Sequence, residues 1–396
     1  MMGYLTLDDV EVGGARVLVR ADLNVPLAGE GPERTVGDGF RLRAALPTVT
    51  RLRDAGAVVV LASHLGRPDG VDPAFSMAPV AARMTELAGF PVTPLADVVG
   101  SAVDAAVAGA SPGEVLLLEN TRFEPGEKKN DPGLAAALAA PFDLFVSDAF
   151  GTAHRAHASN VGVAEHVRSV AGPLLIREVA ALSSLLDEPA PPFVVLLGGA
   201  KISDKLGVIQ SLLPRVDLML IGGGMCFTLL VAEGYEIGTS LYEESMLDEV
   251  RAVLRSEYGD RVLLPRDLVV AERFAEDAPH MTVSRQAIPD DMMGLDIGPE
   301  TAAMFAKTVA GAGSVFWNGP MGVFEWEAFR AGTATVASAM GATTAHTVIG
   351  GGDSVAAVRM LNVDGQIDHV STGGGAGLEL LEGRELPGLV ALAKWA

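Results

Sequence analysis

Short runs of apolar residues recur along the whole chain and alternate with longer segments of helical periodicity. In the first half the apolar runs occupy residues 17–20, 58–62, 115–118 and 144–147. Helical patterns lie between them, at residues 41–55, 78–87 and 134–139. Strands that are apolar on both faces and alternate with helices are typical of parallel βαβ units. The alternation restarts in the second half, with apolar runs at residues 193–197, 218–221, 261–264, 315–317 and 347–349.

The length of the chain predicts two domains. Its 396 residues exceed what one hydrophobic core supports, since single cores stop growing at roughly 250–300 residues. A proline-rich turn at residues 188–192 follows a helix-like span and separates the two series of elements. We therefore predict an α/β protein of two doubly wound, Rossmann-like lobes with parallel sheets, joined by a helix and separated by an interdomain cleft. The predicted limits are 1–172 and 188–377 for the two domains and 173–187 for the connecting helix.

Composition excludes several classes of protein. A net charge of −21 argues against a general nucleic-acid binder, although arginines converging in a cleft could still hold a small anion. The longest apolar stretch, residues 218–232, contains three glycines and is too short to span a membrane. The opening residues have neither a basic nor an apolar region of the secretory type, so we expect no signal peptide. The single cysteine, Cys226, cannot pair within the chain, which favours the reducing cytoplasm. We expect a monomer.

Three glycine-rich turns in the second half predict a phosphate-bearing ligand. They lie at residues 222–224, 350–354 and 373–375, and each follows a strand-like run and precedes a helix-like segment. Such turns let backbone N–H groups approach an anion at a helix start. None has the last glycine of the dinucleotide fingerprint G-x-G-x-x-G, no Gly-Lys pair forms a P-loop, and the kinase triplet His-Arg-Asp is absent. The ligand site therefore lies outside these three common classes.

In the first half, an arginine or histidine follows each strand-like run. The polar segments occupy residues 20–26, 63–68, 119–123 and 148–157. Since parallel strands end at one edge of a sheet, these loops predict a site for a multiply charged anion. For any single arginine, a surface ion pair is the alternative. His154 and His157 lack the further ligands that a zinc site needs, so we expect them to bind an anion or to stabilise the loop.

Polar residues of the second half are consistent with a nucleotide. Lys201 and Lys205 are four residues apart on the first turns of a predicted helix, where they would hold a polyanion or remain solvated. Asp353 follows three glycines and could cap a helix or bind Mg²⁺. Glu325 lies in an apolar segment that suits either a nucleoside pocket or core packing.

Nine segments closely resemble the phosphoglycerate kinase family over essentially the whole chain, in the family's order. They are RADLNVP (20–26), SHLGRP (63–68), LENTRFEPGEKKND (118–131), SDAFGTAHRAHAS (147–159), LGGAKISDKL (197–206), GLDIGP (294–299), FWNGPMGVFEW (316–326), GGGDS (350–354) and STGGGAGLELLEG (371–383).

The resemblance implies reversible phosphoryl transfer from 1,3-bisphosphoglycerate to ADP, giving 3-phosphoglycerate and ATP, with in-line transfer after hinge closure. The first domain would bind the phosphoglycerate through Asp22, Asn24, Arg41, His64, Leu65, Gly66, Arg67, Arg122 and Arg155. The second would bind Mg-ADP or Mg-ATP through Lys205, Gly294, Glu325, Gly351, Gly352, Asp353 and Ser354, with Asp353 as the Mg²⁺ ligand. The catalytic groups would be Arg41, Lys201, Gly373, Gly374 and Gly375. The final segment, residues 378–396, would pack on the first domain.

Two alternatives belong to other classes of protein. A non-catalytic descendant of the family would be expected to lose Arg41, Lys201, Asp353 or the last glycine turn, and all of these are present. A nicotinamide dehydrogenase would need the dinucleotide fingerprint, which the three turns lack. Titration with NADH against Mg-ATP would separate a dehydrogenase from the kinase.

Overall fold

The chain divides into two compact units in a computed structural model that describes residues 3–29 and 34–395. The first comprises Met1–Ala180 and Glu385–Ala396, and the second Ala181–Arg384. We call them unit 1 and unit 2. Both contain a parallel sheet with helices, which confirms the predicted α/β fold class.

Unit 1 is built on a sheet of six parallel strands within the described residues. Its elements are β1 (Arg16–Arg20), β2 (Leu27–Ala28), β3 (Thr35–Val36), α1 (Phe40–Asp54), β4 (Val58–Ala62), α2 (Ala78–Ala88), β5 (Thr93–Pro94), α3 (Ser101–Gly109), β6 (Val115–Leu117), α4 (Pro132–Ala139), β7 (Leu144–Ser147), β8 (Ser169–Ala171) and α5 (Pro173–Asp187). The strand order is β5-β6-β4-β1-β7-β8, and β2 and β3 form a separate antiparallel pair. The predicted connecting helix at 173–187 is α5, in which the two units divide.

The sheet of unit 1 is buried on both faces. Val17 and Val19 of β1 pack in one core layer with residues of α1 and α2, whereas Leu18 packs in the opposite layer with residues of α3 and α4. Alternate side chains of a strand point to opposite faces, so an unbroken apolar run fits a strand covered twice.

Unit 2 contains a second parallel sheet of six described strands and a smaller antiparallel one. Its elements are β9 (Phe193–Leu197), α6 (Leu206–Leu212), β10 (Leu218–Ile221), α7 (Cys226–Glu233), α8 (Leu247–Leu254), β11 (Val262–Leu263), β12 (Asp267–Ala271), β13 (His280–Ser284), β14 (Met293–Ile297), α9 (Pro299–Ala310), β15 (Ser314–Asn318), α10 (Ala331–Ala342), β16 (His346–Gly350), α11 (Gly352–Met360), β17 (His369–Val370) and α12 (Gly375–Leu381). The parallel order is β11-β10-β9-β15-β16-β17, and the antiparallel order is β13-β12-β14.

The last helix, α13 (Pro387–Ala393), belongs to unit 1. Ala391 joins the core layer that contains Leu18, and the backbone N–H of Gly388 donates to the carbonyl of Ala153 at 2.8 Å. The indole N–H of Trp395 donates to the carbonyl of Ala164, also at 2.8 Å. Among the helices that the structure describes, none is long and apolar enough to cross a membrane.

Candidate active site

The parallel sheet of unit 1 brings its polar loops to one edge. Arg20, the last residue of β1, pairs in register with Ala62 of β4 and with Ser147 of β7. The loops that follow these strands therefore begin side by side. They carry most of the site residues predicted for the first domain, and α1 supplies Arg41.

Hydrogen bonds tie these loops together. Nη1 of Arg41 donates to the carbonyl of Asn24 at 2.7 Å and lies 3.5 Å from the carboxylate of Asp22. The side-chain oxygen of Asn24 accepts the N–H of Gly66 at 2.8 Å, and Nη1 of Arg122 donates to the carbonyl of Gly66. Contacts of this kind hold the loops after β1, β4 and β6 in one arrangement.

Five arginines gather at this edge, and we call Arg20, Arg41, Arg67, Arg122 and Arg155 the cation cluster. His64 lies among them, where burial, followed by the repulsion of Arg20, lowers its pKa well below 6.5. Burial, followed by repulsion from Arg155, Arg20 and Arg67, lowers the pKa of Arg122 to about 10. A bound anion would relieve that repulsion, so the cluster is suited to a multiply charged anionic ligand. Arg67 is exposed, whereas Arg122 and the backbone around Leu65 are mostly buried.

The two other histidines of the predicted anion loop pack beside the cluster. Nε of Arg155 donates to Nε2 of His154 at 3.0 Å, and Nδ1 of His157 lies 3.8 Å from the buried carboxylate of Glu127. Burial is the main cause that lowers the pKa of both histidines to about 4. Both imidazoles are therefore neutral near pH 7.

In unit 2, residues at or after the ends of β9, β15, β16 and β17 line a cavity of about 420 Å³, which we call the glycine cavity. Leu197 of β9 pairs with Asn318 of β15, and Asn318 pairs with Gly350 of β16. Predicted site residues that line the cavity are Lys201, Lys205, Gly351, Gly352, Asp353, Ser354, Gly374 and Gly375. Gly373 directly precedes Gly374 and Gly375 on their turn, and its backbone N–H donates to the hydroxyl of Ser371 at 3.0 Å.

Lys205 is the most enclosed cation of the glycine cavity. Its Nζ donates to the side-chain oxygen of Asn318, and burial lowers its pKa while the charges of Asp204 and Asp353 oppose that shift. Lys201 is exposed. An anion in the cavity would stabilise the charged form of Lys205, because it would add to the negative charge of Asp204 and Asp353 that already opposes the effect of burial.

Backbone geometry explains why the turn before α11 is rich in glycine. Gly351 has a φ of +93°, and a Cβ added there would lie 3.0 Å from Nδ2 of Asn318. Gly352, Asp353 and Ser354 form the first turn of α11, and the hydroxyl of Ser354 accepts the N–H of Gly319 at 2.5 Å. The free N–H groups of a helix start therefore border the cavity.

An apolar pocket of about 340 Å³ adjoins the glycine cavity. Phe227, Leu241, Met293 and Leu295 line it. The predicted residues Gly294 and Glu325 line it as well, and Gly199, Ala200 and Asp353 border both spaces. An apolar slot that opens into a cavity of amides and lysines matches the two halves of a nucleotide, its nucleoside and its phosphates.

Comparison with known proteins decides the family. The family model described as phosphoglycerate kinase matches residues 7–384. The phosphoglycerate kinase of Moorella thermoacetica is 53% identical over 397 residues, which cover 99% of this chain and 100% of that protein. The chain belongs to the phosphoglycerate kinase family.

Solved structures of the family have the same fold. Phosphoglycerate kinase from Coxiella burnetii superposes with a TM-score of 0.86 at 39% identity and covers 99% of both chains. The enzyme from Pyrococcus horikoshii OT3 gives a TM-score of 0.88 at 32% identity and covers 98% of each chain. The predicted resemblance is thus confirmed, and membership makes this chain a kinase of glycolysis, a transferase of phosphoryl groups.

Three polar residues that contact or line these candidate sites are not among the individually predicted site residues, although Arg20 begins the polar segment 20–26. Asn318 contacts Lys205, Arg20 contacts His64, and Asp296 lines the apolar pocket with 3% of its surface exposed. Burial raises the pKa of Asp296 to about 7, although two backbone N–H groups oppose that shift. For Asp296 and Asn318 the sequence signal was a polar residue within an apolar run, as in GLDIGP and FWNGP.

Proposed function

We propose that the chain catalyses reversible, Mg²⁺-dependent phosphoryl transfer from 1,3-bisphosphoglycerate to ADP, giving 3-phosphoglycerate and ATP. The observation that carries this proposal is the shared border of the apolar pocket and the glycine cavity at Asp353. The border joins an apolar slot, which suits a nucleoside, to a cavity lined by lysines and glycine turns, which suits phosphates. The cation cluster of unit 1 supplies the complementary site for an acid that carries phosphate.

The residues of unit 1 would orient the phosphoglycerate. Asp22 and Asn24 provide oxygen and amide groups for its hydroxyl and carboxyl oxygens, while Arg122 and Arg155, with the exposed Arg67, would hold its phosphate. Arginine suits phosphate because its planar fork donates two parallel hydrogen bonds. Arg41 would lie at the group that is transferred, where it offsets negative charge.

The residues of unit 2 would hold the nucleotide. Gly294 and Glu325 border the nucleoside slot, and Lys205 with the first turn of α11 would bind the β- and γ-phosphates. Lys201 and the amides of Gly373–Gly375 would stabilise the equatorial oxygens in the transition state. Phosphoryl transfer depends on such positioning and charge neutralisation, and an anionic ADP oxygen needs no general base.

Asp353 fits the role of the protein ligand to Mg²⁺. Its carboxylate lines the glycine cavity, and Mg²⁺ in nucleotide sites binds one or two carboxylates together with phosphate oxygens and water. When bound, Mg²⁺ neutralises charge on the nucleotide phosphates. Closure of the two half-sites around the reactants remains a prediction of the resemblance. The domain limits at residues 172, 187 and 377, the monomeric state and the reducing cytoplasm also remain predictions.

A coupled assay tests the function directly. The purified chain is incubated with 3-phosphoglycerate and ATP, with Mg²⁺ or with excess chelator, and formation of 1,3-bisphosphoglycerate is followed through a reporter dehydrogenase. We expect turnover that requires both 3-phosphoglycerate and Mg²⁺, and an Asp353→Asn variant that needs more Mg²⁺ for the same rate. A folded chain that gives no turnover under any of these conditions would contradict the proposal.

A further inference from the structure

Arg20 ends strand β1 with its side chain completely buried. Its guanidinium donates to the carbonyl of Ala21, to the carbonyl of Ala62 at 3.4 Å and, through Nε, to the hydroxyl of Ser159 at 2.9 Å. The remaining group, Nη2, lies 3.2 Å from Nδ1 of His64. Because the side chain has no exposed surface, it is not available to contact a substrate.

The contact between Arg20 and His64 determines where the imidazole carries its proton. A guanidinium has five N–H donors and no acceptor, and it stays charged in proteins. The Nδ1 atom that faces it must therefore accept, which it does only without a proton. We propose that Arg20 is a positioning residue that fixes His64 as the neutral Nε2–H tautomer, so that His64 donates one hydrogen bond from Nε2 to an anionic oxygen of the substrate.

A second buried group keeps the guanidinium in place. The hydroxyl of Ser159 donates to Oε1 of Glu127 at 2.6 Å, and the N–H of Ser159 donates to Oε2 at 3.0 Å. Glu127 has no exposed surface. Ser159 thus connects a buried cation to a buried anion, which offsets the cost of removing both charges from water. The register of β1 with β4 places Arg20 opposite Ala62, two residues before His64.

The other charged groups that face His64 keep its imidazole neutral, because they oppose the addition of a second proton. Arg122 and Arg155 from the neighbouring loops and Arg41 from α1 add their repulsion to that of Arg20, and burial contributes most to a pKa well below 6.5. His64 is buried, with 5% of its surface exposed. It therefore contributes a hydrogen-bond donor of fixed direction among arginines that contribute charge.

Only the predicted effect on the KM for 3-phosphoglycerate rests on the proposed function; the tautomer assigned to His64 does not. The tautomer is a property of the free protein, and it can be measured without any substrate. A failure of the tautomer assignment is therefore distinguishable from a failure of the proposed kinase activity, which the coupled assay tests separately.

The first measurement is long-range ¹H–¹⁵N correlation NMR on the full chain labelled at histidine nitrogens. The chain has seven histidines, and the signal lost in His64→Gln identifies His64. We expect an unprotonated Nδ1, a protonated Nε2 and no titration between about pH 5.5 and about pH 8. A His64 signal from the Nδ1–H tautomer, or from a doubly protonated ring within that range, would overturn the proposal.

The second measurement uses Arg20→Met and Arg20→Lys. Methionine removes the donor, and we expect His64 to populate the Nδ1–H tautomer and its pKa to rise. The KM for 3-phosphoglycerate should rise by roughly tenfold or more, the loss expected for one hydrogen bond to a charged group, with the nucleotide KM within about twofold of wild type. Lysine, a donor without an acceptor, should restore the Nε2–H tautomer. An unchanged tautomer and KM in Arg20→Met would show that Arg20 has no such role; if that variant does not fold, the wild-type and Arg20→Lys spectra decide the assignment.

Discussion

We expect the stability of unit 2 to depend on pH through the buried carboxyl group of Asp296. Asp296 lines the apolar pocket, and its Oδ2 accepts the N–H of Gly332 at 2.7 Å while its Oδ1 accepts the N–H of Ile297 at 2.9 Å. Burial nevertheless raises its pKa from 3.8 to about 7. A group with a raised folded-state pKa contributes stability that is complete below the unfolded-state pKa and is lost as the pH rises through the folded-state value.

The size of the effect follows from the two pKa values. Between about pH 5 and about pH 8 the unfolded chain has mostly released this proton, whereas folded unit 2 releases it only near pH 7. At about 1.4 kcal/mol per pKa unit, the free energy of unfolding should fall by about 2–3 kcal/mol over this range through Asp296 alone. The asparagine of Asp296→Asn cannot ionise, so the free energy of unfolding of this variant should not show that decrease with pH. Wild type and Asp296→Asn must be compared by the slope of the free energy of unfolding against pH and not by its absolute value. The reason is that the asparagine side chain also leaves one backbone N–H without an acceptor.

The assay is urea unfolding at several pH values, followed by tryptophan fluorescence. In a Trp395→Phe background the remaining tryptophans, Trp317 and Trp326, both belong to unit 2, so the signal reports that unit. Asp290→Asn, at an exposed carboxyl group of the same unit, is the matched control and should follow the wild-type curve. Parallel pH profiles for wild type and Asp296→Asn would refute the reasoning.

Three further predictions concern the proposed reaction. Arg41→Ala should lower kcat by at least about 100-fold, or about 2.7 kcal/mol of barrier, in steady-state assays; a rate within about threefold of wild type would remove Arg41 from the transition state. Lys205→Ala, which also leaves Asn318 without its donor, should chiefly raise the KM for nucleotide, and an unchanged KM would exclude it from that site. Gly351→Ala should destabilise unit 2 by about 1–3 kcal/mol and weaken nucleotide binding, because φ is +93° there. Gly365→Ala, with open space around its Cβ position, is the control, and equal urea midpoints would contradict the strain argument.

The fold class was predictable because buried parallel strands leave a strong pattern in the sequence. The apolar run predicted at residues 58–62 is β4, and the run at 193–197 is β9. The helical pattern at 78–87 is α2, which extends one residue further to Ala88. Strands covered on both faces are apolar throughout, so these segments need no partner strand to be recognised.

The antiparallel sheet of unit 2 was not predicted, and its strands explain why. The side chains of β13 are mostly exposed, and β14 overlaps the motif GLDIGP, which the sequence analysis did not interpret as a strand. Neither strand carries a continuous apolar run. Their pairing with β12 depends on residues that are distant in the chain, and local periodicity contains no such information.

The sequence by itself determined which residue types follow the strands: arginines and histidines in the first half, and glycines, lysines and a carboxylate in the second. Parallel strands end at one edge, so the chemistry of each half-site could be inferred from the order of the chain. The tertiary structure alone decided which polar groups are buried and what they face, as with Arg20 against His64 and Asp296 in the lining of the apolar pocket. Protonation depends on burial and on charges brought from distant segments, and both arise only when the chain has folded.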